Sequence, residues 1–229
     1  MGTTERHDRE RETVRAAILT AARELFVAEG YRNVSMRKIA ERIEYSPAAI
    51  YSYFPSKDDI FFALAEEGFH RLCDCATTVD TTELDPVEAL RACFWSYYQF
   101  SREQPQYFEL MFVDRTVPQI SREWDRFAFI HELMDGTAAV LRRGIEAGVF
   151  PATTNPDVAF HVLWAAVHGP AVLALCGRLD PREDPDALAR DTLEVAIAGV
   201  RYGFVATFNP ERCPVRPAAS AGVQTDATP

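Results

Sequence analysis

From Thr13 onward, apolar residues recur at three- and four-residue steps: Val14, Ile18, Ala21, Ala22, Leu25 and Phe26. That spacing predicts an amphipathic helix, which Gly30 can stop. Residues 1–12 are nearly all charged or polar and are expected to form a flexible arm. Ser35 can cap a short helix over 36–43, whose apolar face is Ile39, Ala40 and Ile43. After a turn at Glu44–Tyr45, Ser46 and Pro47 give a strong start to a third helix over 47–53, which Pro55 cannot continue. Ser56 caps a longer helix over 57–76, with Asp58 and Asp59 at its positive end. The Thr/Asp/Pro-rich stretch 77–86 is the expected internal boundary. Beyond it the pattern predicts helices over 86–103, 105–113, 118–147, 156–176 and 185–207, split mainly by prolines.

No alternating strand pattern occurs, so the fold class is all-α. The expected organisation is a three-helix N-terminal domain over 13–57 and a helical bundle over 58–208. Residues 209–229, rich in Pro, Ala, Ser and Thr, are expected to be a disordered tail.

Composition adds limits. The chain of 229 residues is 48% hydrophobic and 25% charged, as in an ordinary globular protein. No apolar run approaches the roughly 18 residues of a membrane helix, and the N-terminus lacks the apolar segment of a secretory signal. A cytoplasmic protein with no membrane partner is the expectation. The odd number of cysteines, 5, shows no framework spacing, and they are expected to be reduced. The net charge of −10 is unevenly spread. Residues 1–57 hold 10 Lys and Arg against 8 Asp and Glu, a net of +2, whereas the remainder carries −12. One end of the molecule can therefore meet phosphate.

Two short helices joined by a brief turn, behind a longer one, outline a helix-turn-helix, whose second short helix enters the major groove of DNA. The small residues Pro47, Ala48 and Ala49 let that helix approach the duplex closely. Ile50 and Phe54 can anchor it, and Ser46, Tyr51, Tyr53 and Lys57 put hydroxyls and an ammonium at its rim. The same pattern is compatible with a helix pair used only for packing.

The stretch from Leu25 to Leu64 resembles the DNA-binding domain of the tetracycline-repressor (TetR) family. The resemblance rests on Phe26, Gly30-Tyr31, Ser35, Ile39-Ala40, Ser46, Ile50-Tyr51, Tyr53-Phe54, Lys57 and Ile60. It implies that Ser35 and Arg37 open the second helix over phosphates. It also implies that Ser46, Pro47, Ala48, Ala49 and Tyr51 face bases or backbone, and that Tyr53 and Lys57 grip phosphates. The family usually has Gly in the turn where this chain has Glu44. A positive φ there would strain Glu44 by about 1 kcal/mol.

In the C-terminal two-thirds, aromatics concentrate between residues 94 and 168. Phe94, Tyr97, Tyr98, Phe108, Met111, Phe112, Trp124, Phe127, His131, Trp164 and His168 are candidates to surround an apolar ligand. A well-filled core would use the same residues. The strings LWAAVHGPAVLAL and GIEAGVF resemble the WHG-type effector domain found behind some TetR-family heads. That resemblance implies a homodimer formed through the last two long helices. The expected function is a ligand-responsive repressor of a palindromic, double-stranded DNA operator, with a small hydrophobic or aromatic effector. The alternatives are a regulator without a ligand and a helical-bundle enzyme. No nucleophile elbow, phosphate loop or HExxH motif is present, and His161 and His168 lack partners for a metal site. No enzyme, cofactor or metal is therefore expected.

Overall fold

The computed structural model describes residues 3–78 and 80–203, without the side chains of residues 3, 4, 122 and 124. The described residues form helices and turns alone. Among the described residues nine α-helices follow one another: α1 (Thr3–Glu29), α2 (Met36–Arg42), α3 (Pro47–Tyr51), α4 (Lys57–Thr77), α5 (Pro86–Glu103), α6 (Pro105–Phe108), α7 (Ile130–Glu146), α8 (Pro156–Leu175) and α9 (Pro185–Tyr202). A 3-10 turn at Tyr31–Asn33, a wide π turn at Glu109–Val113 and a 3-10 stretch at Ile120–Phe127 complete the set. The architecture is a helix-turn-helix head followed by a helical body. The expected tail over 209–229, and the last residues of the helix expected over 185–207, lie outside the described residues.

The helices start where side chains satisfy the free N–H groups of a first turn. Ser35, Ser46, Ser56, Asp85, Asn155 and Asp184 each accept such a bond. Proline opens α3, α5, α8 and α9 directly behind its cap, where its fixed φ helps and its missing N–H costs nothing.

Three expectations need correction. The segment over 1–12 is not a flexible arm throughout, because α1 begins at Thr3. Its polar residues support one another along the helix: Arg6 pairs with Glu10 at 3.0 Å, and Thr13 donates to the Arg9 carbonyl at 2.8 Å. The helix expected over 118–147 is broken. Glu123 leaves helical geometry at φ −120°, ψ 32°, and α7 begins only at Ile130. Finally, α8 is long and apolar enough to cross a membrane by length and composition, with 28% of its most apolar stretch buried. The sequence pattern missed this because Asp157, His161 and His168 interrupt any unbroken apolar run.

The body is organised around α5, which packs against α4, α7, α8 and α9. Tyr98 and Phe100 on α5 are fully buried. Helix α8 presses Ala159, Leu163, Val167 and Ala171 inward, while Val158, Val162 and Leu173 stay exposed. Pro170 lies inside α8 and has no N–H to give the carbonyl of Ala166. The Thr192 hydroxyl of α9 lies 2.8 Å from the Ala166 oxygen and shares its one hydrogen between that carbonyl and those of Leu188 and Ala189 at 2.9 and 3.1 Å. Arg143 of α7 donates to the carbonyls of Thr81, Thr82 and Leu84 at 2.7–2.9 Å, which ties down the connection between α4 and α5.

Candidate functional site

The head's working surface is set by what α3 buries and what it leaves out. Ile50 is fully buried and Phe54 nearly so, which holds α3 against the supporting helices. Ser46, Pro47, Ala48 and Tyr51 face outward, Tyr51 being 53% exposed. The Ser46 hydroxyl accepts from the Ala49 N–H at 3.2 Å. In the turn before α3, Glu44 adopts φ 60°, a left-handed geometry that favours glycine.

The cations beside this surface are paired with glutamates. Arg37 meets Glu41 at 2.7 Å, Arg42 meets Glu24 at 3.2 Å, and Lys38 meets Glu29. Such exposed pairs contribute only about 0–1 kcal/mol, so a phosphate can take over the guanidinium. Ser35 stays exposed at the start of α2 and accepts from the Lys38 N–H at 3.2 Å.

Tyr53 is half-buried, with the Arg11 guanidinium 5.6 Å from its ring centre. Lys57 points into the fold. Its ammonium donates to the carbonyls of Tyr31 and Val34 at 2.7 and 2.9 Å, and lies 4.1 Å from the Tyr31 ring centre. Burial lowers its pKa, an effect that the neighbouring Asp58 opposes. The Tyr31 hydroxyl donates to Asp58, and burial with that contact drives its pKa far up. Lys57 thus closes the 3-10 turn that sequence reasoning missed.

Helix α4 joins this head to the body. At its far end Phe69, Leu72 and Ala76 form one wall of a cavity of about 460 Å³. Phe94 and Tyr97 of α5, Met111 and Phe112 of the π turn, Ile130 and Thr137 of α7, and Phe160 and Trp164 of α8 line the rest. The π turn lies hard against α4 at Gly68. A Cβ there would come within 2.4 Å of the Met111 sulfur and 3.1 Å of the Tyr107 ring. Tyr107 itself sits between two guanidinium groups, Arg23 of α1 at 4.7 Å and Arg71 of α4 at 5.1 Å from the ring centre. Arg23 also donates to Gln106 at 3.1 Å. Across the body, Arg126 holds Glu66 of α4 at 2.8 Å, and Phe129 stacks on His70 at 4.1 Å.

Of the aromatic and other candidates named from sequence, Phe94, Tyr97, Met111, Phe112 and Trp164 line the cavity. Phe108 is fully buried, packed against Tyr97 and Phe112. His168 stands behind Tyr97, whose hydroxyl is 2.8 Å from its Nδ1. Tyr98 turns away and donates to Asp186 at 2.7 Å, and Phe127 packs on Phe69. His131 is exposed and lines an adjoining cleft between α7 and α8. The Trp124 side chain lies outside the described residues. Sequence reasoning missed Phe69, Leu72 and Ala76. Their three- and four-residue spacing on α4 was visible, but nothing in it distinguished a cavity wall from a core.

Comparison with known proteins agrees with this geometry. Residues 18–64 match the model for bacterial regulatory proteins of the tetR family, and residues 90–196 match a tetracycline repressor-like C-terminal domain. A transcriptional repressor of Mycobacterium tuberculosis is 31% identical over 76% of this chain and 87% of its own length. The transcriptional activator FasR of Mycolicibacterium smegmatis is 29% identical over 49% of this chain, which covers 52% of that relative. Among solved structures, the TetR family regulator PfmR of Thermus thermophilus aligns over 80% of this chain and 98% of its own, with TM-score 0.64 and 24% identity. The fatty acid degradation regulator FadR of Bacillus halodurans aligns over 81% and 99%, with TM-score 0.66 and 17% identity. These relatives are regulators rather than enzymes, and the chain belongs to the TetR family of helix-turn-helix transcriptional regulators.

Proposed function

We propose that this regulator is a dimeric repressor that leaves its operator when a small apolar or aromatic molecule enters the body. The observation that carries this reading is the double role of α4. Its first residue, Lys57, closes the head, and Phe69, Leu72 and Ala76 of the same helix line the cavity. A ligand that displaces those side chains moves a rigid element on which the head is built. The coupling required is about 1–3 kcal/mol.

Dimerisation is favoured by the outer face of α8 and α9. Val158, Val162 and Leu173 on α8, and Val195 and Tyr202 on α9, are exposed at 37% to 78%. Single exposed apolar residues need no explanation, but two helices with a shared apolar face do. A second copy with twofold symmetry would cover that face and present two copies of α3 to successive major grooves, about 34–36 Å apart or a multiple of that. On the DNA, Ser46, Pro47, Ala48, Ala49 and Tyr51 would face bases or backbone, while Ser35 and Arg37 would meet phosphates. The setting would be the cytoplasm, without a membrane partner.

The test is selection of bound sequences from random duplex DNA, with a Tyr51→Ala variant alongside. An enriched inverted repeat, bound more weakly by the variant, is the expected result. Failure to enrich any sequence at low salt would overturn the repressor reading.

A further inference from the structure

We infer that the cavity selects uncharged molecules able to donate a hydrogen bond, and rejects carboxylates and phosphates of equal size. This rests on the effector reading above and specifies the ligand's chemistry.

The wall is mainly aromatic rings and aliphatic or sulfur-bearing side chains, with five polar groups: Ser96, Tyr97, Thr137, His161 and Trp164, whose indole N–H is engaged with the Tyr97 hydroxyl. Each has a partner within the protein. The Ser96 hydroxyl donates to the Cys93 carbonyl at 2.7 Å, and that of Thr137 to the Leu133 carbonyl at 3.2 Å. Tyr97 is engaged with His168, and His161 Nδ1 lies 2.7 Å from the Asp157 carbonyl. That last contact fixes a proton on Nδ1, so of the ring nitrogens only Nε2 is left to face a ligand. A hydroxyl carries a single hydrogen, so Ser96 and Thr137 have only lone pairs left to offer. Lone pairs welcome the hydrogen of an alcohol or phenol and repel an anion.

The Tyr97–His168 pair supplies no charge. Burial raises the pKa of Tyr97 and lowers that of His168, which keeps both neutral near pH 7. Among the described residues, no Lys or Arg lines the cavity. The cleft adjoining it through Met134, Phe160 and His161 carries Asp135 and Asp157 beside His131 and, among the described residues, likewise no Lys or Arg. An anionic head group would thus find two carboxylates there. Burying an unpaired anion in such surroundings is strongly unfavourable.

Matched pairs test this on the full-length protein at neutral pH: dodecanol against dodecanoate, and naphthol against naphthoate, by calorimetry and thermal shift. The alcohol of at least one pair is expected to bind and raise Tm, with its carboxylate at least ~100-fold weaker. Comparable or tighter carboxylate binding would overturn the inference while leaving a ligand-binding cavity intact. If neither pair binds, the cavity reading falls and the selectivity with it. Thr137→Phe, and separately Leu133→Trp, fill the space. With helix content and a cooperative melt retained, either should abolish alcohol binding. Binding that survives both substitutions would place the site elsewhere and sink the inference.

Discussion

Aromatic rings do opposite work in the two halves of this molecule. In the head, Phe26, Tyr31 and Phe61 meet edge to face at 5.0 and 6.0 Å and close on one another. In the body, Tyr97, Phe112 and Trp164 also meet edge to face, yet they stand around an empty space. The head must present α3 in a single position, so its rings are packed for rigidity. The body keeps room, and the rings around it are shared among three helices and a π turn. The same residue types therefore say little about role until their neighbours are known.

Deleting a ring in each region sharpens that contrast most. Phe26→Ala should cost about 3–5 kcal/mol, because the packed head cannot collapse around the gap. Phe112→Ala only enlarges an existing void and should cost clearly less, while shifting ligand preference toward larger molecules. Urea denaturation of both variants checks the order, and equal losses would break the comparison.

A smaller effect separates packing from DNA contact at Lys57. Lys57→Met removes the ammonium from the Tyr31 and Val34 carbonyls, leaving Tyr31 only its bond from the Val34 N–H, and should lower head stability by about 1–3 kcal/mol. A lysine that served only phosphate would alter operator affinity and its salt dependence, with no change in melting.

Smaller still, Glu44→Gly relieves the left-handed turn and should stabilise the head by about 1 kcal/mol, while removing a negative charge beside the DNA surface. Tighter operator binding with a raised Tm is expected; an unchanged Tm would show that the turn stores no strain.

The smallest effect concerns pH. Burial lowers the pKa of His168 in the folded protein, so the unfolded chain binds that proton more readily. Stability from this group is full above the ordinary histidine pKa and declines as pH falls below it. His168→Gln should flatten the acid side of the stability profile between pH 7 and 5, read by denaturant midpoints at each pH.

The sequence carried the capped helix starts with high fidelity, because caps and N1 prolines are local chemistry; the uncapped starts of α1 and α7 were misplaced. Ser46-Pro47, Asn155-Pro156 and Asp184-Pro185 mark the first turns that the structure contains. Interruptions were harder to read. The break at Glu123 and the widening at Glu109–Val113 answer to tertiary packing, and no residue type announces them. Among candidate site residues, the exposed face of α3 was legible from small residues beside buried Ile50. The inward turn of Lys57 was not, since a cation at a helix start looks the same whether it faces a phosphate or two carbonyls. In the body, periodicity marked apolar faces but could not tell Tyr98, which bonds Asp186, from Tyr97, which faces the cavity.

Under the proposed effector response, Gly68 would make a lever of α4. The helix is pressed on the π turn at that point, so Gly68 would act as the fulcrum. From it, the arm toward Lys57 is about 16 Å at 1.5 Å per residue, and the arm toward Leu72 about 6 Å. A ligand-driven displacement of Leu72 by a fraction of an ångström would be magnified roughly two- to three-fold at the head by these arm lengths. In a pair of heads matched to the helical repeat of DNA, both ends would move at once, so a modest expansion of the cavity would spoil the fit at two grooves.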